Sequence, residues 1–193
     1  RKYKKNADWE ADDYQFILPN DTDLLGNEHS EKIVDMDSWL IFFGIWIAEG
    51  WSNRKTSTTS IAINKQRVKD VLIPALDKLG FNYSINLKYE KLHIYGTQLS
   101  SYMSILSVGA PNKYLPDWCF KLSKNQTRLL INSMQLGDGH FLKRTISSWY
   151  STTSEKLADQ FMHLCLHAGW SSIKSVYHNA GHTTKLKDGR EII

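Results

Sequence analysis

The chain has 193 residues, 41% of them hydrophobic, with seven Trp, nine Tyr and seven Phe and a net charge of +4. This is enough for one large domain or two small, closely packed ones. The most apolar run, Trp39 to Ala48, is shorter than the ~20 residues that a membrane span needs, and the N-terminal residues lack the apolar stretch of a signal peptide. We therefore predict an intracellular protein, nuclear in a eukaryotic cell, with no membrane partner.

The charges are unevenly distributed along the chain. Residues 1–37 contain five Lys or Arg and ten Asp or Glu, whereas the remainder contains 19 basic and 10 acidic residues. A basic body is typical of a protein that binds a polyanion, because Lys and Arg displace counterions from phosphate groups. We assign residues 1–36 as an acidic leader or linker. The two cysteines, Cys119 and Cys165, are predicted to be reduced core thiols, with a disulfide as the alternative.

The first folded unit is predicted to span residues 37–110. Its opening helix runs to about Glu49 and is capped by Asp37 or Ser38. The elements after it are predicted from alternating and helical patterns of apolar residues. They are two strands within WSNRKTSTTSIAI, a helix over Lys65–Leu79 kinked at Pro74, strands near Tyr83–Lys88 and Lys91–Tyr95, and a helix near Gln98–Leu106.

Residues 111–122 form a predicted linker, and residues 123–193 form the second unit. Its opening helix begins at a predicted capping box of Ser123 and Gln126. The later elements repeat the order of the first unit, except that the closing helix is missing. They are two strands within HFLKRTISSWYST, a helix over Ser154–Ala168, and strands near Ser172–His178 and Thr183–Leu186.

A constant offset of 89 residues relates the two units. It pairs the segment FFGIWIAEG (42–50) with INSMQLGDG (131–139), so that Glu49 corresponds to Asp138. The same offset pairs apolar positions of the later helices and the Gly-aromatic pairs that end them: Val68 with Leu157, Leu72 with Phe161, Leu76 with Cys165, Gly80 with Gly169 and Phe81 with Trp170. The chain is therefore predicted to contain two copies of one αββαββ(α) unit.

The two opening helices share a face of small residues that ends in an acid. The small residues are Gly44 and Ala48 in the first helix and Ser133 and Gly137 in the second. Small residues four apart allow two helix backbones to approach closely, which would bring Glu49 and Asp138 together. Crowded carboxylates repel unless a cation lies between them, so we predict a site for Mg²⁺ or Mn²⁺. The alternative is a pair of solvated residues at helix ends.

FFGIWIAEG and INSMQLGDG resemble two divergent LAGLIDADG motifs. The phrases WLIFFGIWIAEGWS, YLPDWCFKLSKNQTRLLINSMQLGDGH and YSTTSEKLADQFMHLCLHAGW resemble the dodecapeptide-type homing endonuclease domains of inteins, over residues 36–178. The resemblance implies an α+β fold of two pseudo-twofold-related repeats, with antiparallel saddle-shaped sheets and a central pair of packed motif helices. It also implies a monomer that binds a long, near-unique site in double-stranded DNA and cuts both strands with a divalent metal, leaving short 3′ overhangs.

Carried over residue by residue, the resemblance makes Glu49 and Asp138 the catalytic metal ligands. Lys65, in IAINKQRV, matches a lysine that family members often place near the scissile phosphate; a solvated lysine at a helix start is the alternative. The offset takes Lys65 to Ser154 rather than to a lysine, and nearby Lys156 falls on the following helix. The second active site therefore departs from the family pattern.

Basic, polar and aromatic residues of the predicted strands are candidates for contacts with phosphates and base edges. In the first unit these are Trp51, Asn53, Arg54, Lys55, Thr58, Lys88, Lys91 and His93; in the second they are His140, Lys143, Arg144, Ser147, Lys174, Lys185 and Lys187.

The leader ADWEADDYQFILPN resembles the stretch that joins an intein's splicing half to its endonuclease. The chain has neither an N-terminal Cys or Ser nor a terminal His-Asn, so it is not expected to splice, and a free-standing intron-encoded enzyme remains an alternative. Two other hypotheses are a cleavage-inactive, maturase-like protein that binds DNA or RNA, and an α+β interaction domain without affinity for DNA.

Overall fold

The computed structural model describes residues 14–141, 148–176, 184–185 and 191–192. This part of the chain is α+β, with five α-helices and small antiparallel sheets, which confirms the predicted class. The helices are α1 (Met36–Glu49), α2 (Gln66–Leu79), α3 (Thr97–Leu106), α4 (Lys124–Asp138) and α5 (Glu155–Ala168). Within the described ranges, none of the helices has the length and apolar character needed to cross a membrane.

The largest sheet has four antiparallel strands. They are β5 (Gly50–Asn53), β6 (Thr58–Ala62), β7 (Asn82–Asn86) and β8 (Lys91–Tyr95), in the order β5-β6-β8-β7. One face contributes Ile61, Leu92 and Ile94 to the core. Since successive side chains of a strand point to opposite faces, the other face carries the polar residues between them. Trp51, Ser60 and His93 lie side by side on that face, across three neighbouring strands.

Helix α1 lies at the centre of the molecule. Nearly all of its residues are buried, including both tryptophans, Trp39 and Trp46, and it packs against α4, α2 and the four-stranded sheet. A helix that is apolar all round is stable only when enclosed in this way. The predicted cap at Asp37 or Ser38 is wrong: Asp35, which has an extended backbone, accepts from the Ser38 N–H at 2.9 Å.

The second half of the leader is folded onto this core. Strands β1 (Gln15–Leu18) and β4 (Lys32–Asp35) pair in antiparallel fashion, with β2 (Asp21–Thr22) and β3 (Glu28–His29) paired between them. Phe16 and Leu18 are buried, and the Phe16 ring stacks on that of Trp39 with centroids 4.1 Å apart. Residues 15–35 thus form a hairpin, here called the leader hairpin, that covers one side of α1.

The linker contains two short 3₁₀ helices, 110–112 and 117–121. Helix α4 then begins at Ser123 with the predicted capping box, since Ser123 and Gln126 exchange side-chain-to-backbone hydrogen bonds. Two strands that flank residues 142–147 follow, β9 (Gly139–Phe141) and β10 (Ser148–Tyr150). Both cysteines are free and buried, as predicted.

The chain after α5 differs from the prediction. Residues 172–176, the described part of the predicted strand near Ser172–His178, form no strand; Lys174 instead donates to Glu155 and Asp159 of α5. Two-residue strands do occur at β11 (Thr184–Lys185) and β12 (Glu191–Ile192), which pair with each other.

Candidate active site

Helices α1 and α4 pack through their small residues. A Cβ atom at Gly44 would lie 2.6 Å from Ser133 Cβ, and one at Gly137 would lie 2.5 Å from Ala48 Cβ and 3.0 Å from Glu49 Cγ. Real Cβ atoms are not found so close to another atom, so these two glycines permit the approach of the backbones. The structure therefore brings together all four residues that the sequence singled out as a helix interface.

The close approach continues to the C-terminal ends of the two helices, where α1 ends at Glu49 and α4 ends at Asp138. The pKa of Asp138 is raised to about 6, mainly by burial and also by the negative charge of Glu49, while the positive charges of Lys65 and Lys113 act in the opposite sense. A carboxyl group whose ionised form is disfavoured by a second carboxylate marks a place where negative charge is crowded.

Lys65 joins the two helix ends. Its Nζ donates to Glu49 Oε1 at 2.5 Å and to the backbone oxygen of Gly137 at 2.6 Å. The side chains of Glu49 and Lys65 are only 16% and 34% exposed, so water screens this ion pair less than it would at the surface. The structure places Lys65 in direct contact with the acidic site, and not in the solvated position of the alternative interpretation.

Three further residues at the site were not identified from the sequence. The Arg67 guanidinium donates to the backbone oxygens of Leu136 and Gly139, at the end of α4. Lys113, from the linker, donates to two carbonyls at the end of α1. Tyr150 lies close enough to the acids that, after burial, they contribute to raising its pKa. Arg67 could have been found from its place two residues after Lys65, but Lys113 has no local signal.

The donor set fits a hard divalent cation. Mg²⁺ needs only one or two protein carboxylates and completes its coordination with water and substrate phosphates, and Glu49 and Asp138 supply such a pair. No group of three or more His, Cys, Asp or Glu converges anywhere in the described ranges. The chemistry of the pair favours Mg²⁺ or Mn²⁺ over metals that prefer nitrogen or sulfur ligands.

Most first-unit candidates for DNA contacts lie on or beside the polar face of the four-stranded sheet. Trp51, Asn53, Thr58 and His93 line a shallow depression there, together with Thr56, Ser60 and Tyr95. Lys91 reaches over the Trp51 ring at 5.4 Å. Ser60 and Tyr95 were not among the predicted contacts, although strand alternation from Thr58 and His93 identifies them.

Other candidates are placed differently. Lys55 is exposed in the turn after β5, and Lys88 lies over the ring of Tyr89 in the turn between β7 and β8. Arg54 donates to the backbone oxygen of Thr22 and pairs with Asp21 in the leader hairpin. In the second unit His140 is exposed in β9, and Lys174 is ion-paired with α5. Lys143, Arg144, Ser147 and Lys187 lie outside the described residues, and only the backbone of Lys185 is described.

The raised pKa of Asp138 predicts a pH-dependent cost to stability. The pKa of Asp138 is about 6 in the folded protein, above its ordinary value of 3.8, so folding favours the protonated carboxyl. Its contribution to the free energy of unfolding is therefore fully present below pH 3.8 and is lost as the pH rises through 6. Without divalent ions, Asp138→Asn should therefore raise the Tm at pH 8 by roughly 2–4 °C, about 1 kcal/mol in a chain of this size after allowance for solvent screening. The gain should shrink towards pH 5. Thermal melts in chelator across this range measure it, and a lower Tm for the variant at pH 8 would show that the carboxylate is net stabilising.

Comparison with known sequences gives no family-model match. Two curated proteins are similar to the chain. One is an ATP-dependent Clp protease proteolytic subunit of Chlamydomonas moewusii, 38% identical over 190 residues; the other is the DNA-directed RNA polymerase subunit beta C-terminal section of Stigeoclonium helveticum, 33% identical over 237 residues. The matches cover 89% and 100% of this chain but only 18% and 21% of those proteins. The chain thus spans about a fifth of the length of each relative.

Proposed function

We propose that the chain is a LAGLIDADG-type homing endonuclease, a metal-dependent enzyme that cuts double-stranded DNA at a specific site and leaves short 3′ overhangs. The observation that carries the proposal is the pair of helices packed through Gly44, Ala48, Ser133 and Gly137, each ending in a carboxylate at one shared site. Strand β5 directly follows α1 in the chain, and the four-stranded sheet to which β5 belongs has a polar face that carries aromatic and basic residues.

The repeat architecture of the family belongs to the same proposal. The first unit has the element order αββαββα, and the second begins αββα. Gly80 and Gly169, which the offset pairs, both end a helix with positive φ, 65° and 79°. These parallels support two pseudo-twofold-related units with saddle-shaped sheets and a single-chain, monomeric enzyme.

In this proposal Glu49 and Asp138 would hold the divalent metal. Such an ion lowers the pKa of bound water and stabilises charge on the oxygens of the phosphate. The chain's own contribution is positioning and charge: the packed helices fix the two carboxylates, and Lys65 holds a positive charge against Glu49 at the same point. A cation held in a partly buried site stabilises developing negative charge more strongly than one in water.

The polar face of the four-stranded sheet is proposed as the DNA-binding surface of the first unit. A sheet of this size offers its side chains in rows, so that Asn53, Thr58 and His93 can reach base edges while Lys91 reaches a phosphate. Arg54 also supports this surface within the protein, because its contacts with Asp21 and Thr22 fix the turn after β5.

The relatives support an origin as an insertion within a host protein. Segments 38% and 33% identical to this chain occur in two proteins whose names denote different activities, and the matched segment makes up about a fifth of each. A segment shared by a protease subunit and a polymerase subunit is not explained by either activity. We therefore propose that the chain is the endonuclease part of an intein, or of a related mobile insertion.

Cleavage of a randomised duplex library in Mg²⁺ tests the proposed function. We expect a small set of products that share one long recognition sequence and carry 3′ overhangs. A Glu49→Gln/Asp138→Asn double variant is the control and should release no products. Specific binding without cleavage by the parent chain would favour the maturase-like alternative, and no affinity for duplex DNA at low salt would favour the interaction domain.

The contacts of Lys65 predict that its replacement changes the cleavage rates of the two DNA strands unequally. Its Nζ contacts Glu49 and the end of α4, so we expect Lys65→Met to slow cleavage of one DNA strand by about 10²–10³, the usual cost of losing one charge-stabilising donor. The enzyme should become a nickase. A duplex labelled on both strands measures the two rates. Equal slowing of both strands would mean that Lys65 acts on folding or binding instead.

A further inference from the structure

The last two turns of α5 carry a pair of histidines that the proposed endonuclease activity does not use. His163 and His167 are four residues apart in this helix, so their side chains leave it on the same face. His163 is exposed and His167 is half-buried. Both rings are therefore within reach of ions in solution.

The two imidazole rings are held close to each other. Their Nε2 atoms are 3.1 Å apart, within hydrogen-bonding distance, and the ring centroids are 4.6 Å apart. On its other side, the ring of Phe120 from the second 3₁₀ helix of the linker stacks on His163, with centroids 5.1 Å apart. Contacts with the neighbouring turn of α5 and with the linker thus restrict the rotation of the His163 ring.

The separation of the two Nε2 atoms fits a shared metal ion. Bonds from imidazole nitrogen to Zn²⁺ are about 2.0–2.1 Å long. An ion bonded at that length to two nitrogens 3.1 Å apart has a nitrogen–metal–nitrogen angle of about 100°. This angle lies between the ~90° of a square-planar site and the ~109° of a tetrahedral one. The two nitrogens therefore need not move apart to hold the ion; each ring has only to turn its lone pair towards it.

The protonation of the pair and its place on the helix favour a cation. In a hydrogen bond between two ring nitrogens one must accept, so at least one ring is neutral, and neutral imidazole is the form that binds metals. Burial, and then the charge of His163, lower the pKa of His167, which favours the same form. His167 also lies in the last turn of α5, where the partial negative charge of the helix end attracts a bound cation.

We propose that His163 and His167 form a second metal site, which binds Zn²⁺, Ni²⁺ or Cu²⁺ through both Nε2 atoms. Imidazole nitrogen suits these ions, whereas the carboxylate oxygens of Glu49 and Asp138 suit Mg²⁺ or Mn²⁺. Among the described residues, no third His, Cys, Asp or Glu joins the two rings, so we assign the remaining ligand positions to water. The bound ion links two successive turns of α5 and stabilises the end of that helix. This assignment does not rest on the proposed endonuclease function.

Titration of the full chain with Cu²⁺, which binds such ligands most tightly of the three ions, tests the assignment. We expect one bound ion per chain, with an electron paramagnetic resonance spectrum that shows two nitrogen ligands. His163→Asn and His167→Asn should each weaken binding by about tenfold or more, because the second ligand no longer acts at high effective concentration. Unchanged affinity in either variant overturns the assignment.

Two controls separate this site from others on the chain. His140→Asn removes an exposed histidine of β9 and should leave Cu²⁺ binding unchanged. The Glu49→Gln/Asp138→Asn chain should also bind Cu²⁺ with the parental affinity, since the carboxylates are not its ligands. Loss of binding in either control would place the ion elsewhere and overturn the assignment.

A variant with the same number of histidines tests their spacing. Leu166 is 59% exposed, so His163→Asn/Leu166→His is tolerable at the surface and places the two histidines at adjacent positions, which do not face each other. This chain should bind Cu²⁺ no better than His163→Asn, and parental affinity would show that histidine number rather than geometry decides.

Thermal melts give a second readout that needs no DNA. Zn²⁺ should raise the Tm of the parent chain and not that of His163→Asn or His167→Asn, because an ion that binds only the folded helix shifts the unfolding equilibrium. An equal rise in the parent chain and in the variants contradicts a site made by these two residues.

Discussion

Replacement of either acid at the helix ends should abolish double-strand cleavage. Glu49→Gln and Asp138→Asn each remove one carboxylate charge from the only pair that the described residues bring to the proposed metal site. We expect a rate loss of more than about 10³, because the metal supplies several kcal/mol of charge stabilisation. Affinity for DNA should stay within about tenfold, since it comes mainly from phosphate contacts elsewhere. Cleavage in Mg²⁺ and binding measured without metal separate the two effects.

The matched control is Asp37→Asn. Asp37 is an exposed acid in the first turn of the same helix that ends at Glu49, twelve residues or ~18 Å away. The Asp37→Asn variant should cleave DNA at the parental rate. Full activity of Glu49→Gln or Asp138→Asn would remove both residues from the active site, whereas a large loss of DNA affinity would show that the acids act on folding or binding.

A leucine at Gly44 should unfold the protein or destabilise it by about 3 kcal/mol or more. A Cβ atom there already lies 2.6 Å from Ser133 Cβ and 3.0 Å from the Leu130 oxygen, so a larger side chain must force the central helices apart. A close-packed core relaxes only in part around an added side chain. Chemical denaturation of Gly44→Leu measures the loss, and melting like the parent would place Gly44 outside a close helix contact.

A double-mutant cycle tests whether the loss of stability at Gly44 comes from its contact with Ser133. Gly44→Ala should itself be destabilising, and Ser133→Gly should reduce that cost because it removes the Cβ that the new methyl group meets. Recovery should be partial, since the backbone atoms of Leu130 and Met134 also lie 3.0 Å from the added atom. Additive effects of the two substitutions would argue that the helices are not in contact at this point.

Much of the framework follows from local sequence. The helices α2 and α5 were predicted within one residue of their ends, because apolar residues recur at helical spacing and Gly80 and Gly169 end them. The capping box at Ser123 was equally readable. The internal offset of 89 residues also identified Glu49 and Asp138 as equivalent positions before any contact between the two helices was known.

The features that were missed depend on long-range contacts. The Lys113 amine donates to the backbone oxygen of Ala48, 65 residues away in sequence. No local sequence pattern around Lys113 predicts that contact. The Asp35 cap was missed because Asp35, Asp37 and Ser38 are all good capping residues, and pairing of β4 with β1 decides among them. The residues at 172–176 favour a strand by composition, but in the structure they form none, and Lys174 is ion-paired with Glu155 and Asp159 of α5.

The leader hairpin has a consequence for transplanting the unit into another host protein. Phe16 stacks on Trp39, and Gln98 donates to the backbone oxygens of Pro19 and Ser30. A graft that starts at the first motif helix would leave the Trp39 indole and one side of α1 facing water and would release the turn at Arg54. The smallest fragment that can be transplanted must therefore begin before the leader hairpin, and its N-terminal boundary cannot be chosen from the two motifs alone.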